Sequence, residues 1–272
     1  MLLQRVLTAL LLAPLVIVLI TFAPTGLFAT VVTITFLAAL WEWATLSGLK
    51  SYAWRSALLV LTALAFGALW LLRASPLGNW VLAAGVAWWL LVCVWLRHFA
   101  FGAAPTRENI ARKLLAGWCV MLPAWMALVS VHAQVPEGHW WTLLALLIVW
   151  AADIGAYFSG RTFGKRKLAP QISPGKTWAG AWGALVAGAL VMLVGAWLLD
   201  VRGKQLLGLL LLALLTVAIS IVGDLLESLM KRHAKVKDSG TLFPGHGGLL
   251  DRLDSVFAAL PVFALGLLWL DI

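Results

Sequence analysis

Charge is scarce in this sequence. Of its 272 residues, 11% are Asp, Glu, Lys or Arg and 63% are hydrophobic, for a mean hydropathy of +0.98. Water-soluble domains carry about 25% charged residues, so a fold solvated on all sides is excluded. Cysteine is scarcer still: Cys93 and Cys119 both sit inside apolar runs. That excludes a disulfide framework and a Cys-rich zinc site. No internal repeat, low-complexity segment or separate polar domain interrupts the chain. One compact unit is the default at this length.

What is there in abundance is long apolar runs. A spanning helix needs about 20 apolar residues, and the runs predict nine: 6–23, 27–46, 56–72, 80–96, 114–133, 140–160, 178–199, 206–230 and 255–270. The third, fourth and ninth are short. The first run is uncharged from Val6 to Trp41, far longer than the core of a signal peptide. The Pro24-Thr25-Gly26 turn splits it into a helical hairpin that stays in the membrane. Many of the tryptophans fall near span ends (Trp41, Trp54, Trp80, Trp95, Trp140, Trp178, Trp197, Trp269), as an interfacial belt requires. The fold class expected is therefore all-α: a polytopic integral membrane protein with about nine transmembrane helices.

The net charge of +9 would suit nucleic acid, but the basic residues sit in short loops between spans, where they set topology and meet lipid phosphate. Nine spans put the N-terminus and the loops after spans two, four, six and eight on one side. Those segments hold 17 of the 20 Lys and Arg residues, leaving Arg73, Arg202 and Lys204 opposite. The positive-inside rule makes the basic side cytoplasmic, with the N-terminus inside and the C-terminus outside. Two regions follow: residues 1–139, a scaffold that also serves for lipid access or dimer contact, and residues 140–272, a catalytic region with cytoplasmic loops 161–177 and 231–254.

Chemistry is concentrated in that second region. Asp153 lies within the sixth span, and Asp224 and Glu227 near the end of the eighth. Ionisable groups in a membrane helix are rare and point to function, unless they snorkel or pair with a nearby Lys or Arg. Asp224, Ser228 and Lys231 stand at i, i+4 and i+7, one helix face, with Glu227 offset toward it. Such a stripe suits a hard cation at one end and a phosphate at the other. Next come Arg232, His233, Lys235, Lys237 and Asp238, then Gly245-His246-Gly247-Gly248, then Asp251, Arg252 and Asp254. Glycine lets backbone N–H groups approach phosphate oxygens, and carboxylates interleaved with phosphate-binding bases suit Mg²⁺. A loop that only sets topology needs neither the three aspartates nor the Gly-Gly pair. His246, between two glycines, donates to phosphate or fixes the loop. His98, His132, His139 and His233 read as interfacial residues.

The loop after the sixth span ends Ser173-Pro174-Gly175-Lys176-Thr177. It imitates the end of a P-loop, but Pro170 stands where the first glycine belongs and no strand is expected before it. What remains is an anion-binding turn at the mouth of the seventh helix, with Ser173, Lys176 and Thr177 as donors.

The run Ser228-x-Met230-Lys231-Arg232-x4-Lys237-Asp238-x-Gly240-x2-Phe243-Pro244-x-His246-Gly247-Gly248-Leu249-x-Asp251-Arg252-Leu253-Asp254 resembles the signature of the phosphatidate cytidylyltransferase (CDP-diacylglycerol synthase) family. The segment from Asp153 to Thr177 is similar to the same family, although Ala179 stands where an acidic or amide residue is common. The first 140 residues match only as hydrophobic spans. The resemblance implies transfer of CMP from CTP to phosphatidic acid, releasing pyrophosphate, in phospholipid biosynthesis. It also implies a paired metal site, Mg²⁺ with a second cation such as K⁺, on aspartates that map onto Asp224 and Asp251. A homodimer in the cytoplasmic (inner) membrane, with its active site facing the cytoplasm, is implied too.

On that basis Asp224 and Asp251 are assigned to metal, with Asp254 and Asp238 as supporting acids. Lys231, Arg232, Lys237 and Arg252 contact CTP or the lipid headgroup, and Ser173, Lys176 and Thr177 cradle a second phosphate. Ser228, Asp153, His246, Gly247 and Gly248 complete the substrate-binding set. Substrates are CTP and phosphatidic acid, the surroundings are membrane lipid, and no nucleic acid is expected. Two alternatives fit intramembrane acids with basic loops: a transporter of an anionic phosphorylated solute, and another CTP-dependent lipid-phosphate enzyme. Against the transporter, the charges gather at one face and no two matching halves are visible. The Asp-rich motif of CDP-alcohol phosphotransferases is absent.

Overall fold

The computed structural model of the protein describes residues 2–240 and 247–272. Among the described residues nine helices run in chain order: α1 (Leu2–Phe22), α2 (Thr25–Leu46), α3 (Tyr52–Leu72), α4 (Pro76–Trp95), α5 (Arg107–His132), α6 (Gly138–Phe163), α7 (Trp178–Leu198), α8 (Lys204–His233) and α9 (Leu250–Trp269). Each coincides with an expected span. Among the described residues, α2 to α9 are all long and apolar enough to cross a membrane, and α1 adds an apolar stretch over Leu12–Phe22. The three spans expected to be short are 20 or 21 residues long, roughly 30 Å at 1.5 Å per residue. Their helices continue through the polar residues at which hydropathy alone trims them.

The helices begin where the chain supplies caps. Ser51 and Thr106 accept the amides of Trp54 and Asn109 at the starts of α3 and α5, Pro76 opens α4, and Thr177 accepts the Gly180 amide at the start of α7. Each satisfies or removes an amide that the helix leaves without a partner.

Helices α5 and α9 are the most enclosed. Around them pack Phe36 against Phe257, edge to face at 4.8 Å, and Phe66 against Trp125, stacked at 5.1 Å. Indole groups in this interior find acceptors: Trp43 Nε1 donates to the Lys113 carbonyl at 2.7 Å and Trp125 Nε1 to Thr33 Oγ1 at 2.9 Å. Of the expected belt, Trp54, Trp80, Trp140, Trp178, Trp197 and Trp269 are exposed. Trp95 is not: it is buried and donates to the Phe101 carbonyl at 2.9 Å. His132 is buried as well, stacked between Phe28 and His139 with Nε2 on the Ile20 carbonyl at 3.1 Å. It ties the α1–α2 turn to α5 and α6, a structural place and not an interfacial one.

One element departs from an all-helical fold. Lys167–Ala169 (β1) and Ser173–Thr177 (β2) form a two-stranded antiparallel hairpin between α6 and α7. A short strand therefore does precede the Gly175-Lys176-Thr177 stretch, contrary to expectation. The P-loop still fails, because Lys176 and Thr177 lie in the returning strand of the hairpin and not in a loop. Helices α6 and α7 close beneath it along a seam of glycines. A Cβ on Gly183 would meet the Ser159 side chain and stand 2.7 Å from the Gly155 carbonyl oxygen, so this approach requires glycine.

Candidate functional site

Where α6, β2, α7, α8 and α9 converge, they enclose a cavity of about 720 Å³. Its wall is polar in one belt. Helix α6 contributes Asp153, the hairpin Ser173, Lys176 and Thr177, and α8 Asp224, Ser228, Lys231 and Arg232. The segment after α8 adds Lys237 and Asp238, and α9 adds Asp251, Arg252 and Asp254. Sequence reasoning proposed sixteen site residues, and these are thirteen of them. Gly247 and Gly248 stand behind Asp251, outside the wall. His246 lies outside the described residues.

The geometry is a set of carboxylates already matched with cations. Lys176 reaches from the hairpin to form an ion pair with Asp224 Oδ2, and Ser228 Oγ donates to Asp224 Oδ1 at 3.3 Å. One turn on, Lys231 bridges two acids. Its Nζ lies 2.6 Å from Asp251 Oδ1 and also pairs with Glu227. Glu227 has 1% of its surface exposed and does not reach the cavity. Of the two readings of this acid, pairing with a lysine is the observed one. Asp251 Oδ2 accepts from Ser239 N at 2.9 Å, Ser239 Oγ at 2.9 Å and Gly248 N at 2.8 Å. Both of its oxygens are thus fixed by protein donors, which makes it rigid as well as charged.

Deeper in the cavity Asp153, Asp224 and Asp254 lie near enough for their charges to act on one another, with Lys176 and Arg252 as the compensating cations. Asp254 accepts its neighbour's amide, Ser255 N, at 2.6 Å. Arg232 Nε donates to the Ile172 carbonyl at 3.1 Å, tying the end of α8 to the hairpin turn. Thr177 Oγ1 uses an acceptor position to cap α7 and keeps its proton for another partner. Among the described residues no group of three His, Cys, Asp or Glu side chains converges as a ready metal cage.

A cavity walled by six lysine and arginine side chains next to five aspartates, beside apolar helices, suits a polyanion with a greasy end. The known sequences agree with this chemistry. The profile of the Cytidylyltransferase family matches residues 3–270. The chain belongs to the cytidylyltransferase family. A phosphatidate cytidylyltransferase of Pseudomonas aeruginosa is 42% identical over 275 residues, covering 99% of this chain and 97% of its own length. One from Haemophilus influenzae is 36% identical over 287 residues, covering 97% and 98%. A third, from Staphylococcus haemolyticus, is 43% identical over 152 residues, covering 54% of this chain and 57% of its own. The resemblance first seen over residues 153–254 therefore extends along the whole chain, including spans that had matched only in hydropathy.

Some residues in and behind the cavity wall were not among the candidates. Arg161 and Tyr157 line the cavity, the arginine donating to the tyrosine hydroxyl at 3.1 Å. Arg161 had been counted with the residues that set topology, and nothing in its spacing separates the two roles. Ser239 and Glu42 hold Asp251 and its loop from behind. Glu42 is the lone acid of the second span, but no pattern in the sequence says what it touches.

Proposed function

We infer that this chain transfers CMP from CTP to phosphatidic acid, giving CDP-diacylglycerol and pyrophosphate. The observation that carries the reading is one cavity in which Lys176, Lys231, Arg232, Lys237 and Arg252 face Asp153, Asp224, Asp251 and Asp254, in a member of the cytidylyltransferase family. An oxygen of the phosphatidate phosphate attacks the α-phosphorus of CTP. The bond from that phosphorus to the bridging oxygen breaks, and the electron pair leaves with pyrophosphate. A phosphate monoester is already an anionic nucleophile, so the residues need not deprotonate a serine or cysteine. Their work is to hold two polyanions together and to neutralise the bridging and leaving oxygens. Lys176, Ser173 and Thr177 hold one phosphate group from the hairpin side. Lys231, Arg232, Lys237 and Arg252 hold the other from α8 and α9, and Ser228 and Asp153 complete the wall.

Mg²⁺, with a second cation such as K⁺, belongs to this reading through Asp224 and Asp251. The residues fit: each carboxylate holds an ammonium, Lys176 on Asp224 and Lys231 on Asp251, so a cation stands in at both. A divalent ion bound by only two carboxylates, with substrate phosphates for the rest, needs no cage of three. When bound, it neutralises charge on the triphosphate. With a cation on these acids, Lys176 and Lys231 would be available to phosphate oxygens. Asp238 and Asp254 support the pair. Gly247 and Gly248, behind Asp251, and His246 belong to the substrate-binding set of this reading.

The distribution of Lys and Arg supports a cytoplasmic face for the cavity and a cytoplasmic N-terminus, in the inner membrane. It also supports residues 140–272 as the catalytic region with 1–139 as scaffold. Exposed apolar side chains on α3, such as Val60 and Leu64, leave a face for lipid or for a second copy in the homodimer that belongs to the same reading.

The test is purified protein with CTP, Mg²⁺ and phosphatidate, with lipid and soluble products identified. The expected result is CDP-diacylglycerol and pyrophosphate in equal amounts, lost in Asp224→Asn protein that remains folded. A phosphorylated lipid alcohol with CDP would identify another CTP-dependent lipid enzyme. Uptake of a phosphorylated solute into liposomes without CTP consumption would identify a transporter.

A further inference from the structure

Beyond the cavity wall lies Glu42. It sits half-buried in α2, 197 to 208 residues upstream of the groups it holds. Its Oε1 accepts from the Leu249 amide at 3.0 Å. Its Oε2 accepts from the Leu250 amide at 2.8 Å and from Ser239 Oγ at 2.9 Å. The first two donors lie at the start of α9, where a carboxylate is favoured by both hydrogen bonding and the helix dipole. The third is the link to the cavity. Ser239 Oγ also lies 2.9 Å from Asp251 Oδ2 and receives the Asp251 amide at 3.3 Å. A hydroxyl has one proton, so Ser239 donates to one of the two carboxylates at a time and joins them into one unit. Both flanks of the loop close on this carboxylate: a Cβ on Gly240 or on Gly248 would each stand 2.7 Å from Glu42 Cδ.

We propose that Glu42 is a positioning residue for the transfer reaction. Acting through Ser239 and the first amides of α9, it holds Asp251 in the orientation that turns Oδ1 toward Lys231 and the cavity. The scaffold half thus supplies a part of the site. The proposal rests on the CTP–phosphatidate reading for what Asp251 and Lys231 do, but not for the contacts themselves. A residue that merely stiffened the bundle would lower stability without a selective effect on turnover. A positioning residue lowers kcat and leaves ground-state binding of CTP almost unchanged.

The experiment uses the full-length protein in detergent micelles with CTP and dioleoyl phosphatidate. Glu42→Gln, Ser239→Ala and the double variant are compared for kcat, KM and melting temperature, and for amide hydrogen exchange over residues 247–252. Each single variant is expected to lower kcat roughly 10- to 100-fold with KM for CTP within about threefold. The double variant is expected to lose little more than the worse single, since one device is broken either way. Exchange over 247–252 is expected to speed up at least roughly tenfold. Trp43→Phe, which loses the bond to the Lys113 carbonyl one residue along α2, is expected to melt lower with kcat unchanged.

Unaltered kcat and exchange in Glu42→Gln would overturn the proposal. So would multiplying effects in the double variant, or a Trp43→Phe loss of kcat as large as that of Glu42→Gln. If Glu42→Gln does not fold, Ser239→Ala carries the same two readouts, and wild-type values there overturn it. Should the wild-type protein itself fail to turn over CTP and phosphatidate, the reaction reading falls, and the exchange measurement still decides on Glu42.

Discussion

Lys231 carries two ion pairs at once, an ammonium shared by Glu227 and Asp251 with little exposure to solvent. Breaking a buried pair by removing one partner leaves an uncompensated charge and costs about 3–5 kcal/mol, whereas replacing the whole set with apolar groups is often neutral. Lys231→Met is therefore expected to lower the melting temperature sharply and to abolish turnover. Lys231→Met/Glu227→Met is expected to regain much of the stability and none of the activity. Thermal melting and a CTP-consumption assay on the two proteins check this. Recovered activity in the double variant would remove Lys231 from the phosphate-binding set. The triad was half legible in the sequence. Asp224, Ser228 and Lys231 declared themselves by helical spacing, since i, i+4 and i+7 share a face in any helix. The partnership of Lys231 with Asp251, which sits in α9, needs the packing of α8 on α9, and a single sequence carries no sign of it.

The β1–β2 hairpin and the glycine seam below it work together, because α6 brings Asp153 and α7 continues directly from Lys176 and Thr177. Overpacking a close-fitted contact costs about 1–3 kcal/mol. Gly183→Ala, whose new methyl meets Ser159 and the Gly155 carbonyl, is expected to lower the melting temperature by several degrees and to raise KM for CTP as the hairpin shifts. Gly175→Ala, where a Cβ would meet nothing within 4 Å, is the control and is expected to melt like wild type. Helices α1 to α9 were all visible as hydropathy, because lipid forces every spanning segment to satisfy its own backbone. The hairpin was not visible. Its strands are three and five residues long, carry Pro174, Gly175 and two lysines, and have none of the alternation that marks a strand. They are held by the helices on either side and by Arg232 on the Ile172 carbonyl, contacts made only after folding.

For the molecule as a whole, the asymmetry of basic charge makes a prediction about sides that differs from one about contacts. With nine crossings and the basic loops inside, Asp271 and the loop holding Arg202 and Lys204 lie on the far side from Lys176 and Lys231. Single cysteines introduced at Lys204 and at Lys165, in a background with Cys93 and Cys119 replaced by Ala, are expected to react differently with an impermeant maleimide. Intact cells label Lys204→Cys, and inverted vesicles label Lys165→Cys. Labelling of both positions from one side would require an eight- or ten-span arrangement. The expectation of sidedness rests on Lys and Arg counts, which need no tertiary information. The contacts of Glu42 were not legible, since hydropathy sees one acid in a span and cannot see Ser239, Leu249 and Leu250 that come to meet it.

The clasp on Glu42 has a consequence for how the protein is made. The carboxylate enters the membrane with the second helix, when Ser239, Leu249 and Leu250 have not yet been synthesised. Through the making of six more helices it has none of these partners. Its hydrogen bonds form when the ninth helix docks. Assembly of the site is thereby a terminal event in biogenesis, and a ribosome that stalls before the ninth helix releases a membrane-inserted chain with no partial activity to leak.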